Sequence, residues 1–217
     1  MKKVILFLLA SVAMVSCGSD DGDGGSKRPS SVTIAGGNES AIMNMTYDKG
    51  RLSTMTSSFN GAHTMAFTYN DKGKVSNVAI SGSSTDNIVF TYDADGKLSS
   101  LMHSGQTALP FTWTDATTVT HDGHTIKVDS KGDLVMYDSV SFTRDSGKGA
   151  FANVKGIDGL TLLLIDQTTL YYASKKPVKI ITGPGISYIM NNTLSGGMLT
   201  NATFDLSGVP YTMNITY

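Results

Sequence analysis

Cysteine is almost missing: the chain of 217 residues has one, Cys17. A single thiol excludes an internal disulfide framework and any cysteine-based zinc knuckle. Charge is scarce too. Charged residues make up 16%, and 17 Lys and Arg stand against 18 Asp and Glu for a formal net charge of -1. That balance leaves no electrostatic footprint for nucleic acid. Proline is low, at 5, and low charge density with few prolines is not the composition of a disordered chain. No stretch shows helical periodicity with caps, so no helix is expected. The Gly-x-Ser-x-Gly elbow, the phosphate loop and the dinucleotide fingerprint are all missing. Gly183-Pro184-Gly185 lacks the lysine and the following helix that a phosphate loop needs. What is abundant is Gly, at 23, with Thr and Ser.

The first residues read as an address. Met1-Lys2-Lys3 is basic, Val4 to Val15 is continuously apolar, and Ser16-Cys17 follows. A basic start and an apolar run of about a dozen residues make a secretory signal, too short for the ~20 residues of a spanning helix. Met14-Val15-Ser16-Cys17 resembles the lipobox of bacterial lipoproteins, with Met14 in place of the usual aliphatic residue. The resemblance implies cleavage before Cys17 and lipid on its sulfur and new amine. Gly18 to Ser26 holds no apolar residue and reads as a flexible tether. Its Ser19-Asp20-Asp21 resembles the acidic export signal of Bacteroidetes surface lipoproteins. The expected organisation is a signal at 1–16, a lipidated acidic tether at 17–30 and one domain at 31–217.

That domain repeats itself. Phe67-Thr68-Tyr69-Asn70-Asp71-Lys72-Gly73-Lys74-Val75 aligns with Met45 to Leu52, Phe90 to Leu98 and, more loosely, Phe111 to Asp115; Tyr47, Tyr69, Tyr92 and Trp113 fall 22, 23 and 21 residues apart. In Phe67-Thr68-Tyr69 the aromatics share one strand face and Thr68 takes the other. Asp or Asn opens the turn and Gly supplies its positive φ. The next aliphatics, Leu52 and Met55, Val75 and Val78, Leu98 and Leu101, are three apart. That spacing breaks alternation and predicts a bulge beside each turn. Val128 to Leu134 keeps the turn without the aromatic, and Thr203 to Val209 restores both. Asn60-Gly61 and Asp122-Gly123 are strong two-residue turns, and a turn about every 11 to 12 residues denotes an antiparallel meander. The predicted fold is all-β, an up-and-down meander closed into a barrel, with a β-sandwich as the alternative. The least readable stretch is 144 to 195, where Arg144 to Gly149 reads as a loop and Leu160 to Ile165 as a fully buried strand.

The Tyr-Asp-x-x-Gly-Lys-Leu units resemble YD repeats, whose long arrays build shells around cargo; the copies here are too few to enclose another protein. Taken with the signal and the terminal hairpin Thr203 to Tyr217, the chain resembles an uncharacterised family of Bacteroidetes lipoproteins with a porin-like fold. The resemblance implies a barrel and no activity. The alternating end Tyr211, Met213, Ile215, Tyr217 also resembles the terminal signal of integral outer-membrane barrels. The lipobox already supplies an anchor, so a water-soluble barrel is expected, with Thr outside and the aromatic and Met face inside.

Chemistry is thin. His121-Asp122-Gly123-His124 could set two imidazoles opposite each other, close enough to share a metal, but no third ligand is evident. Asp93 to Gly96 echoes half a calcium loop that turn chemistry explains. No catalytic, cofactor or metal residue is assigned. Trp113, Tyr137, Tyr171, Tyr172 and Tyr188 could stack on sugars if exposed. Asp138-Ser139-Val140 matches the short O-glycosylation pattern of Bacteroidetes envelope proteins. The expectation is a monomeric, non-catalytic binding or scaffolding barrel, tied to the outer membrane through Cys17 on the surface or periplasmic face, with a glycan or protein ligand. The alternatives are a glycan hydrolase and an integral pore.

Overall fold

The computed structural model describes residues 26–59 and 61–217. The signal and Cys17 lie outside the described residues. Among the described residues seventeen strands make one antiparallel sheet: β1 Ser31–Gly36, β2 Glu39–Asp48, β3 Arg51–Ser57, β4 His63–Tyr69, β5 Val75–Gly82, β6 Asp86–Tyr92, β7 Leu98–Met102, β8 Leu109–Trp113, β9 Thr118–His121, β10 His124–Val128, β11 Leu134–Tyr137, β12 Val140–Arg144, β13 Val178–Gly183, β14 Ile186–Ile189, β15 Asn191–Ser195, β16 Met198–Leu206 and β17 Val209–Thr216. Neighbours in sequence pair from β1 to β14 and from β15 to β17, and β17 pairs with β1. β14 and β15 are one run broken at Met190. Its first half pairs with β13 and its second with β16, and Met190 N–H donates to Lys179 O at 2.8 Å. The meander thus closes on itself as a barrel and not as the alternative sandwich.

The sidedness follows the alternation. Phe67, Phe90, Phe111, Met45 and Met65 are buried, whereas Thr46, Thr68, Thr91 and Thr112 are exposed. Register shifts fall at Thr46/Tyr47, Thr68/Tyr69 and Thr91/Tyr92. Each inserts one extra residue after the turn, so Leu52 and Met55, Val75 and Val78, Leu98 and Leu101 all point inward and are buried. The predicted bulges therefore exist, and they keep two aliphatics per repeat in the core. Each such side chain is worth about 1.5–3 kcal/mol when fully buried.

A barrel of this many strands is wide enough to leave a channel. Here residues 145–177 fill it. This segment enters beside the YD turns, where Lys155 N–H donates to Gly50 O at 2.9 Å. It carries buried Phe151, Val154, Leu160, Leu162 and Tyr172 into the lumen and returns to β13. Tyr172 is fully buried, with its hydroxyl 3.9 Å from Met55 Sδ. The expected strand at Leu160 to Ile165 is instead α1, Gly159–Ile165, followed by a short 3-10 helix, Gln167–Tyr171. Its N-cap Asp158 accepts from Thr161 N–H at 2.8 Å. A run of six that is apolar apart from Thr161 carries no periodicity to separate a buried helix from a buried strand. In the lumen no neighbouring strand is left to pair with it, so the segment satisfies its own backbone as helix. Residues 26–217 contain every described strand and every described core residue, and the barrel closes within them.

Candidate functional site at the histidine rim

The barrel has two unlike ends. At the YD end each repeat clasps the one before it. Tyr69 Oη donates to Leu52 O at 2.8 Å, Tyr92 Oη to Val75 O at 2.6 Å and Trp113 Nε1 to Leu98 O at 2.9 Å. Tyr47 Oη does the same to Pro29 O at 2.7 Å and Tyr217 Oη to Leu199 O at 2.6 Å. The basic residue after each turn glycine lies over the next repeat's ring: Arg51 over Tyr69 at 5.4 Å, Lys74 over Tyr92 at 5.4 Å, Lys97 over Trp113 at 4.7 Å. Lys74 Nζ also donates to Gly96 O at 2.7 Å. Burial raises Tyr47, Tyr69 and Tyr92 well above the usual phenol range and Tyr217 to about 12, so all four stay neutral donors. These residues are structural, and the repeat exists because this joint recurs.

The opposite rim holds the chain's four histidines, His63, His103, His121 and His124. It also holds Glu39, Asp86, Asp122, Asp138, Asp166 and Asp205. Lys2 and Lys3 lie outside the described residues, and every other lysine and arginine stands in the half nearer the YD turns. Asp122 and Gly123 both take positive φ, 48° and 78°, which closes the two-residue turn and sets His121 opposite His124. His121 is buried and stacks on Phe111, centroids 3.8 Å apart and planes 4° from parallel. Its Nδ1 donates to Pro110 O at 3.1 Å. His124 Nδ1 meets Asp138 Oδ2 at 2.7 Å and its ring lies 5.0 Å from Tyr137. His103 Nδ1 pairs with Asp86, which also accepts Ser104 N–H at 3.0 Å. The His124 hydrogen bond, with one from Thr125 N–H, holds the Asp138 carboxyl below its ordinary range. Burial pushes Asp86 up, but hydrogen bonds from His103 and two backbone amides outweigh it and the net direction is down.

Between this rim and the tip of the plug lies a cavity of about 560 Å³. Its floor is apolar, formed by Leu101, Leu109, Leu134, Phe142, Leu163, Leu164 and Leu170; its mouth carries His103, His121, His124, Asp122, Tyr137 and Gln167. This is the size and lining of a small-molecule site. Among the described residues no three His, Cys, Asp or Glu side chains are placed to hold a metal ion.

The sequence singled out His121 and His124, and the rim unites them with His103, which sequence reasoning missed together with Asp86 and the plug leucines. Only the folded meander sets the β5–β6, β7–β8 and β9–β10 turns side by side, so no local signal marked them. Of the five aromatics considered for sugar stacking, Tyr172 is fully buried, Trp113 serves the YD joint and Tyr137 lines the cavity. Tyr171 is half-buried and stacks on Phe204, and Tyr188 is half-buried against the core. Asp93 to Gly96 is a turn, with Asp93 Oδ1 accepting Lys97 N–H at 2.8 Å. Asp138-Ser139-Val140 forms the β11–β12 turn on the histidine rim, with Ser139 exposed.

No curated protein matches the chain in sequence. Among solved structures it is similar to a porin-like protein from Bacteroides uniformis, with a TM-score of 0.45 and 15% identity over 88% of this chain and 98% of that one. It is also similar to a porin-like protein from Bacteroides vulgatus, with a TM-score of 0.43 and 12% identity over 88% of this chain and 99% of that one. The family model of the teneurin YD-shell matches residues 23–155, more than half of the chain and the stretch that contains the hairpin repeats. The chain belongs to the teneurin YD-shell family.

Proposed function

We propose that the chain is a lipid-anchored cell-envelope barrel, held to the outer membrane through Cys17, that binds rather than catalyses. The observation that carries this reading is the sidedness of the wall. Threonine, serine and asparagine line the outside, the aromatic and methionine face is inside, and the lumen is filled by the chain's own residues 145–177. An integral barrel needs an apolar belt facing lipid, whereas a water-facing wall needs a separate anchor, which the lipobox-like Met14 to Cys17 supplies. Ser30 N–H bonds Thr216 O at 2.7 Å, so residue 30 lies at the YD end, opposite the histidine rim. The two carboxylates held by rim histidines favour binding over glycan hydrolysis. A glycosidase needs one carboxyl held protonated by a raised pKa, and Asp86 and Asp138 are both shifted the other way.

Mass spectrometry of the envelope-purified protein tests the anchor. The N-terminal peptide should begin at Cys17 and carry an acyl mass that Cys17→Ala abolishes. An unmodified wild-type Cys17 would overturn the reading. Protease shaving of intact cells then separates surface from periplasmic display.

A further inference from the structure

We infer that the histidine-rim cavity binds an amphiphile with an apolar body and an amine or ammonium head. The inference rests on the binding reading above and names the ligand class of that site. The body is set by the floor, where wall residues Leu101, Leu134 and Phe142 face plug residues Leu163, Leu164 and Leu170 across about 560 Å³. The head is set by hydrogen-bond polarity. A backbone carbonyl and a carboxylate can only accept, so Nδ1 of His121, His103 and His124 must each carry the proton shared with Pro110 O, Asp86 and Asp138. When the ring is uncharged, a proton on Nδ1 makes Nε2 an acceptor. Three imidazole acceptors and the Asp122 carboxylate therefore ring the mouth, and among the described residues no lysine or arginine lies on this rim. A head rich in N–H donors satisfies them. A carboxylate or phosphate head meets acceptors of its own kind, beside the ionised Asp86 and Asp138.

Octylamine, octanoate and octanol, matched in chain length, are the probes, titrated calorimetrically into residues 26–217 without detergent. Octylamine should bind at least about tenfold more tightly than octanoate, the size of a lost charge-assisted hydrogen bond. Asp122→Asn keeps a residue that tolerates positive φ in the turn and should weaken octylamine about fivefold. Leu164→Trp should fill the floor and weaken octylamine and octanol alike, about tenfold, with the near-ultraviolet circular dichroism otherwise that of a folded barrel. Octanoate binding as tightly as octylamine, no octylamine binding, or binding indifferent to Leu164→Trp would each overturn the inference. The acyl mass on Cys17 is measured separately, so loss of the ligand reading leaves the anchor reading standing.

Discussion

At the YD end, every second turn of the repeated half is locked to its neighbour by a phenol or indole donor and a cation over the ring. At the histidine rim, the turns between those repeats share no side-chain pattern. They hold imidazoles and carboxylates, and they leave a cavity against the plug. The difference separates what the fold must repeat from what it is free to vary. Joints between hairpins are the same problem solved again and again, so their residues recur; turns at the free end are not so constrained and can carry a site.

The sharpest way to break the ordered end is Gly156→Val. Gly156 has φ +76°, and a Cβ there would lie 2.4 Å from Gly73 O and against the Tyr69 ring. Backbone cannot yield cheaply, so a loss on the order of 3 kcal/mol or more is expected in denaturant unfolding. Tyr92→Ala should cost about 2–3 kcal/mol, because it removes a half-buried ring together with its bond to Val75 O. Tyr92→Phe keeps the ring and should cost only about 1 kcal/mol. At the other end His124→Ala, on an exposed turn, should change stability by no more than about 0.5 kcal/mol while altering ligand binding.

Stability is tied to both extremes of pH, through the clasping tyrosines on the alkaline side and, on the acid side, through Asp86 and Asp138 at the histidine rim together with Asp115 and Asp145 at the YD end. The folded state raises the clasping tyrosines above the ordinary value of 10.0. Their contribution is therefore complete below pH 10.0 and is lost as pH climbs through the folded values, Tyr217 first at about 12. Asp86 and Asp138 are lowered from 3.8, so what they contribute is present above that value and lost as pH falls. In melting curves across pH, Tyr69→Phe should show a smaller alkaline loss and Asp138→Asn a smaller acid loss than the parent chain.

This contrast also explains what the sequence made legible. The YD turns announced themselves through Tyr, Asp, Gly and a cation at fixed spacing, and the three-residue aliphatic step at Leu52 and Met55 disclosed the bulge. The Gly183-Pro184-Gly185 turn between β13 and β14 was readable for the same local reason. The plug was not. In Leu160 to Ile165 the side chains that enter the core, Leu160 and Leu162, and those that line the cavity, Leu163 and Leu164, are all apolar, so no polar face marks the helical period. The site was half legible: His121 and His124 are neighbours through one turn, whereas His103, Asp86 and Leu164 join them only through the closure of the barrel and the insertion of the plug.

The most direct measurement is the behaviour of residues 26–217 in detergent-free buffer, by sedimentation and near-ultraviolet circular dichroism. A polar-walled, plugged barrel predicts a monodisperse monomer with a fixed aromatic signal. A chain that stays folded only in detergent, or that conducts ions across a planar bilayer, would contradict it.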